Sequence, residues 1–141
     1  MVTEIKLIAK DQLISIIPLI KQLNSTHSDT MLKTRLEEMV AQGYQCAGLY
    51  GNNQLVGICG MWIMTKFYVG KHIEPDNVFI LPKYRQLGLG KKLLDWVYEY
   101  GKSQGCVASE LNCYVSNETG NAFWEQEGYA KIGYHYQKSL E

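Results

Sequence analysis

Apolar residues recur along this chain first at helical spacing, then at strand spacing, then in alternation between the two. Residues 4–8 read as a short strand. From Asp11 to Asn24, Leu13, Ile16, Ile17, Ile20 and Leu23 share one helical face, with Pro18 as an irregularity inside it. The polar loop Asn24–Asp29 ends in capping residues. A second helix is expected over Thr30–Gln42, with Leu32, Leu36, Met39 and Val40 apolar and Gly43 as its stop. Tyr44–Tyr50 and Gln54–Met64 read as strands around Gly51-Asn52-Asn53, a hairpin signal. Residues 66–70 connect to a strand over His72–Leu81. A helix over 88–104 turns Leu89, Leu93, Leu94 and Val97 inward, with Gly105 after its end. Cys106–Val115 reads as a strand, 117–127 as a helix, and 129–139 as the end of the sheet, in one strand or two short ones. The order is β-α-α-β-β-β-α-β-α-β. No repeat, low-complexity tract or linker interrupts it, so a single domain over 1–141 is expected.

The junction at residues 78–94 carries the chemistry. Val78-Phe79-Ile80-Leu81 is an apolar run, followed by a basic loop with two glycines and then by an amphipathic helix. The first N–H groups of a helix lack intrahelical partners, and the helix dipole favours an anion there. Glycine lets a ligand come close to the backbone. A pyrophosphate-bearing ligand is therefore indicated. Two common phosphate loops do not fit. A Walker loop needs a Gly where Arg85 stands and a Ser or Thr where Lys92 stands. A dinucleotide fingerprint needs a third Gly at the position of Leu93.

Arg85-Gln86-Leu87-Gly88-Leu89-Gly90 resembles the Arg/Gln-x-x-Gly-x-Gly/Ala signature of the GNAT family of N-acetyltransferases, and Ile80-Leu81-Pro82-Lys83-Tyr84-Arg85 is similar to that family's approach strand. A second block, Asn117 to Tyr129, resembles the family's Asn-x-x-Ala-x-x-x-Tyr-x-x-x-Gly-Phe helix. The likeness covers about residues 76–140. It implies an α/β (α+β) fold with a mixed, mostly antiparallel twisted sheet of six to seven strands. Four helices would flank the sheet, and its central strands would splay apart to admit a pantetheine arm. It implies acetyl-CoA as cosubstrate, with the pyrophosphate on Arg85, Gln86, Leu87, Gly88, Leu89, Gly90 and Lys91. Val78, Phe79 and Ile80 would pair their backbone with the pantetheine amides. Asn117 would reach the cofactor arm or serve as a plain helix N-cap. Trp124 would cover the thioester or act as a core aromatic.

Acyl transfer to an amine needs proton removal, because an alkylammonium of pKa near 10 is mostly cationic at pH 7. The developing oxyanion needs a backbone N–H, which the 78–80 strand would supply. Glu74 and Asp76 lie just upstream and, in a regular strand, share the face of Ile80. Pro75 between them marks an edge or a bulge. Glu74 takes a position similar to the catalytic glutamate of the histone-acetylating branch. Two solvated carboxylates are the plain alternative. The chain departs from the family where the general-acid tyrosine is replaced by Trp124, whose indole N–H cannot act as the acid. The glutamate of the branch that acetylates ribosomal-protein N-termini is here Asn112. Tyr114, of the same parity, is the substitute acid. The block from Glu110 to Leu140 is loosely similar to aminoalkylphosphonate acetyltransferases. The expected acceptor is a small-molecule primary amine. Alternatives are a protein or peptide acceptor, or a noncatalytic acyl-CoA-binding module.

Composition narrows the partners. Fourteen Lys and Arg balance 14 Asp and Glu, so no basic surplus exists to bind nucleic acid nonspecifically. No apolar run is long enough to span a membrane, and the N-terminus lacks a signal-peptide core, so a cytoplasmic location is expected. Cys46, Cys59, Cys106 and Cys113 match no zinc spacing, and each falls in an expected strand as a buried reduced thiol. His27, His72 and His135 are scattered, and no metal is expected. Tyr134 and Tyr136 on the final strand belong either to the core or to a homodimer edge.

Overall fold

The computed structural model describes residues 1–141 as a five-stranded sheet with helices on both faces. Strands β1 (Thr3–Leu7), β2 (Gln45–Gly51), β3 (Gln54–Lys66), β4 (Gly70–Ile80) and β5 (Ala108–Ser109) lie side by side in chain order. The first three pairings are antiparallel and β4–β5 is parallel. Helices α1 (Ile17–Leu23) and α2 (Asp29–Ala41) follow β1, α3 (Leu89–Ser103) follows β4, and α4 (Glu118–Gln126) follows β5.

Local sequence accounts for most of these boundaries. The stretch before α1 is a 3-10 helix over Lys10–Ile16, and Pro18 sits in the first α-helical turn. Proline is harmless there because the N–H it lacks would be unpaired anyway. Ser28 caps α2, its hydroxyl accepting from the Met31 amide at 3.2 Å. Asn52 and Asn53 both have positive φ, 50° and 69°, and form the two-residue turn whose twist suits a β-hairpin. The sheet separates two apolar layers. On one face Leu13, Ile16, Leu32, Leu36, Tyr44, Ile58 and Phe79 pack under α1 and α2. On the other, Leu49, Cys59, Met61 and Ile73 pack against Leu89, Leu93, Leu94 and Val97 of α3.

Three expectations are corrected. The sheet has five strands, not six or seven. Residues 129–139 form no strand: apart from the Tyr129 amide, which donates to the Trp124 carbonyl, no backbone group of the segment is paired within the chain. The strand expected over Cys106–Val115 is reduced to Ala108–Ser109, so Cys106 and Cys113 lie outside strands and are only half-buried, while Cys46 and Cys59 are core. The cause is on β4. The Ile73 carbonyl accepts from the Glu110 amide at 3.1 Å, but the next donor facing β5 would be that of Pro75, which has no N–H. The ladder stops there.

The face assignment also changes. Ile58 pairs with Phe79 and Gly60 with Asp76, so one residue of β3 opposes two of β4. Asn77, with φ 60°, is in this bulge. A bulge shifts the side-chain alternation by one residue and bends its strand. Asp76 therefore shares its face with Phe79 rather than with Ile80. Val78 and Ile80 turn toward the α3 layer.

Candidate active site

Past Pro75, β4 has no neighbour on its β5 side. The open edge runs from Glu74 to Ile80, roughly 20 Å at about 3.3 Å per residue. It leads to the loop before α3. There the Arg85 amide donates to the Pro82 carbonyl, and the Arg85 guanidinium donates to the Ile80 carbonyl at 2.7 Å while lying over the Phe79 ring. Arg85 thus braces the loop onto the end of β4. From Gln86 through Leu87, Gly88, Leu89 and Gly90 to Lys91, no backbone N–H has an intramolecular partner. The Lys92 amide, bonded to the Gly88 carbonyl, is the first to be paired. Gln86 and Gly88 have positive φ, 63° and 74°, and this curls the loop. A Cβ placed at Gly88 or Gly90 would meet nothing within 4 Å. The result is an open run of free amides at a helix N-terminus, a good match to a diphosphate. The Lys91 ammonium is held by Asp95 at 2.6 Å and by Glu127 at 3.8 Å; the Asp95 hydrogen bond raises its pKa.

At the other end of the open edge, Glu74 and Glu110 are the first residues past the last paired positions of their strands. His72, fully buried, joins them. Its Nε2 lies 2.8 Å from Glu74 and 3.9 Å from Glu110, and its Nδ1 lies 3.1 Å from the Gly70 carbonyl. The Nε2 contact holds the Glu74 carboxylate in place, and the Nδ1 contact with the Gly70 carbonyl holds the ring. The Tyr68 hydroxyl donates to Glu110. Asp76 accepts from the Trp62 indole at 3.0 Å, and Asn77 accepts from the buried Tyr44 hydroxyl at 3.4 Å. Burial pushes the Tyr44 hydroxyl pKa upward, so it stays a neutral donor.

The remaining expected residues separate. Tyr114 is 86% exposed and makes no hydrogen bond with Glu74 or Asp76. The tyrosine hydroxyl bonded within this cluster is that of Tyr68, which donates to Glu110. Asn117 caps α4, its side-chain oxygen accepting from the Gly120 amide at 3.0 Å. Trp124 is half-buried against the α3 layer, edge-on to Phe123 and Tyr129 at 5.0 and 5.4 Å. Sequence reading missed His72, Glu110, Tyr68 and Trp62. Parity along β4 links His72 to Glu74, but Glu110 and Tyr68 join them only through the β4–β5 junction.

A family model described as the acetyltransferase (GNAT) family matches residues 14–129. The chain belongs to the GNAT family of acetyltransferases. Among curated GNAT relatives, the aminoalkylphosphonate N-acetyltransferase of Salmonella typhimurium is 24% identical over 90 residues, 63% of this chain and 58% of the relative. The chain thus spans less than two thirds of that protein's length. An uncharacterized N-acetyltransferase of Bacillus subtilis, YhdJ, is 21% identical over 137 residues, covering 96% of each chain. In fold, the chain is similar to the aminoglycoside N-acetyltransferase AAC(6')-Iy solved with CoA, with a TM-score of 0.83, 20% identity and 97% and 95% of the two chains covered. It is equally similar to a ribosomal-protein-alanine N-acetyltransferase from Brucella melitensis biovar Abortus, with a TM-score of 0.82, 17% identity and 99% and 100% covered. The shared GNAT scaffold therefore does not choose between small and protein acceptors.

Proposed function

We propose that this protein is an acetyl-CoA-dependent N-acetyltransferase that acts on a primary amine of a small molecule by direct attack on the thioester. The observation that carries this reading is the run of unpaired amides from Gln86 to Lys91, continuous with the open edge of β4. Acetyl-CoA, when bound, supplies the acetyl group on a thioester. The loop amides would hold its diphosphate, with Arg85 keeping the loop in place. Val78, Phe79 and Ile80 would offer backbone groups along the open edge and a donor for charge developing on the carbonyl oxygen. The whole of 1–141 acts as one catalytic domain in this reading.

Glu74 is the base, directly or through a water, and His72 fixes its carboxylate. Glu74 and Glu110 together present negative charge at the vertex of the gap, which suits an acceptor that arrives as an ammonium ion. Asp76, tied to Trp62, supports the wall beside them. Tyr68 is better joined to the carboxylates than Tyr114 and is the candidate to shape the acceptor side. Asn117 is a helix cap, and Trp124 fills the α3 side of the gap.

The test is CoA release from acetyl-CoA, read with a thiol-reactive dye across polyamines, aminophosphonates, amino acids, aminoglycosides and short peptides. Turnover with one small-amine class is the expected result. Turnover with peptides alone would make the acceptor a protein. Saturable acetyl-CoA binding with no turnover on any amine would leave a noncatalytic binder.

A further inference from the structure

Two carboxylates meet at the β4–β5 junction with no cationic side chain to balance them. One ligating atom from each of His72, Glu74 and Glu110 lies within 4.8 Å of the other two. Neither glutamate is paired with a lysine or arginine in any of the chain's ion pairs. Two like charges this close repel, and a cation between them relieves the repulsion. Sequence spacing hides the arrangement, because Glu110 arrives from beyond β5 while His72 and Glu74 stand on β4.

The imidazole at its base separates this cluster from a plain acidic patch. The His72 side chain is 0% exposed, whereas those of Glu74 and Glu110 are 16% and 19% exposed. The recess therefore opens on its carboxylate side. Nδ1 contacts the Gly70 carbonyl, and Nε2 faces both carboxylates. A metal-binding histidine is oriented this way, with one ring nitrogen on a backbone carbonyl and the other turned to the ion. The Tyr68 hydroxyl holds Glu110, as hydrogen-bonded neighbours hold carboxylate ligands. The backbone is fixed as well: His72 and Glu74 stand on a paired strand, and the Glu110 amide donates to the Ile73 carbonyl at 3.1 Å.

The donor set selects the ion. One nitrogen and two carboxylates suit Zn²⁺, Co²⁺ or Ni²⁺, whereas Mg²⁺ and Ca²⁺ take oxygen donors. With bonds of about 2.0–2.2 Å, neighbouring donors of a tetrahedral site stand roughly 3.3–3.6 Å apart. The Nε2 distances to Glu74 and Glu110, 2.8 and 3.9 Å, lie on either side of that spacing. Shifts of about 0.5 Å by the two carboxylates would seat the ion, leaving a fourth position for water on the open side.

We propose that His72, Glu74 and Glu110 bind a divalent transition-metal ion of the zinc class, and that this ion shuts off acetyl transfer by occupying the Glu74 carboxylate. The second part rests on Glu74 as the base; the first does not. A metal on Glu74 takes the lone pair that would receive the amine proton and displaces the acceptor's ammonium from between the carboxylates. Metal and amine exclude one another.

The test uses the full-length chain, stripped of metal with a chelating resin and free of acetyl-CoA and acceptor. Calorimetric titration should show one Zn²⁺ bound per chain in the micromolar range or tighter, with Mg²⁺ giving no heat above dilution. Co²⁺ should give visible d–d bands without the charge-transfer band of a thiolate, which sets the cysteines aside. Glu110→Gln and, separately, His72→Ala should weaken Zn²⁺ binding on the order of 10-fold or more, with thermal melts showing that each variant folds. If His72→Ala does not fold, Glu110→Gln decides alone. The double variant His27→Ala/His135→Ala should bind as wild type does. No Zn²⁺ binding by the wild type overturns the proposal. So does binding that Glu110→Gln and His72→Ala leave intact, and so does binding lost with His27 and His135. With an amine that is turned over, Zn²⁺ should raise the apparent KM for that amine, and EDTA should reverse the rise. Full turnover by the Zn²⁺-loaded protein would overturn the inhibition and Glu74 as the base while the ion's site stands, so the two readings fail separately.

Discussion

Gly88→Asp separates the fold from the cofactor site. Gly88 sits at φ 74°, ψ 9° as the N-cap of α3, a left-handed conformation that costs an L-residue about 1 kcal/mol or slightly more. A Cβ there meets nothing within 4 Å, so no steric term is added. A carboxylate at a helix N-terminus returns about 0.3–1 kcal/mol through the dipole. The net loss of stability is about 1 kcal/mol at most. For a chain of 141 residues that is a fall in Tm of about 3 °C or less. Binding responds differently, because the carboxylate lies beside the free amides of residues 86–91. At about 5 Å and an effective dielectric of roughly 20–40, each phosphate charge is repelled by about 1.5–3 kcal/mol. That predicts a loss of acetyl-CoA affinity on the order of 10- to 150-fold. Calorimetric titration with acetyl-CoA, with a thermal melt of the same sample, measures both. Gly88→Ala carries the backbone penalty without the charge and should lose less affinity. An acetyl-CoA affinity within twofold of wild type in a folded Gly88→Asp protein would refute the loop as the diphosphate site.

Further predictions address the base, the buried thiols and the strand crossing. Glu74→Gln keeps a polar partner for His72 but removes the base, so kcat should fall on the order of 10²-fold or more while Tm changes little; an unchanged kcat sinks the assignment. His72→Ala frees the Glu74 carboxylate and should lower kcat with KM for acetyl-CoA unchanged, since His72 is remote from the loop; a rise in that KM alone would contradict the positioning role. Burial pushes the Cys46 thiol up to about 12 and the Cys59 thiol also upward. Unfolded thiols ionise near 8.5, so the unfolded state binds fewer protons above that pH and stability falls as pH rises from about 8.5 toward 12, by about 1.4 kcal/mol per pH unit for each thiol. Melts at pH 7, 9 and 10 should decline accordingly, and a flat profile would contradict the burial. In Gly60→Ala the new methyl would overlap the Tyr44 hydroxyl and stand 2.5 Å from the Asp76 carbonyl oxygen. A loss of about 3 kcal/mol or more is expected from this overpacking, read by urea unfolding, and a loss under about 1 kcal/mol would show that the β3–β4 crossing yields easily.

What the chain determines by itself is what a few neighbouring residues can encode. Asn52-Asn53 specifies its own turn, Ser28 its cap, and Arg85 to Lys91 a loop whose glycines and helix start leave amides free. Helices α2, α3 and α4 lie within a residue or two of where their periodicity sets them. The tertiary structure decided the rest. The bulge at Asn77 turns Phe79, not Ile80, to the face of Asp76, because side-chain parity beyond a bulge depends on the register against β3. Pro75 is visible in the sequence, but that its missing N–H ends the β4–β5 ladder follows only from which neighbour that position faces. His72 and Glu74 share a face of β4, but Glu110 and Tyr68 come from other segments, so local spacing does not reveal the whole cluster. Residues 129–139 have a strand's alternation but no strand to pair with. Alternation encodes an apolar face, whereas pairing requires a partner edge, and only the folded sheet determines which edges are free.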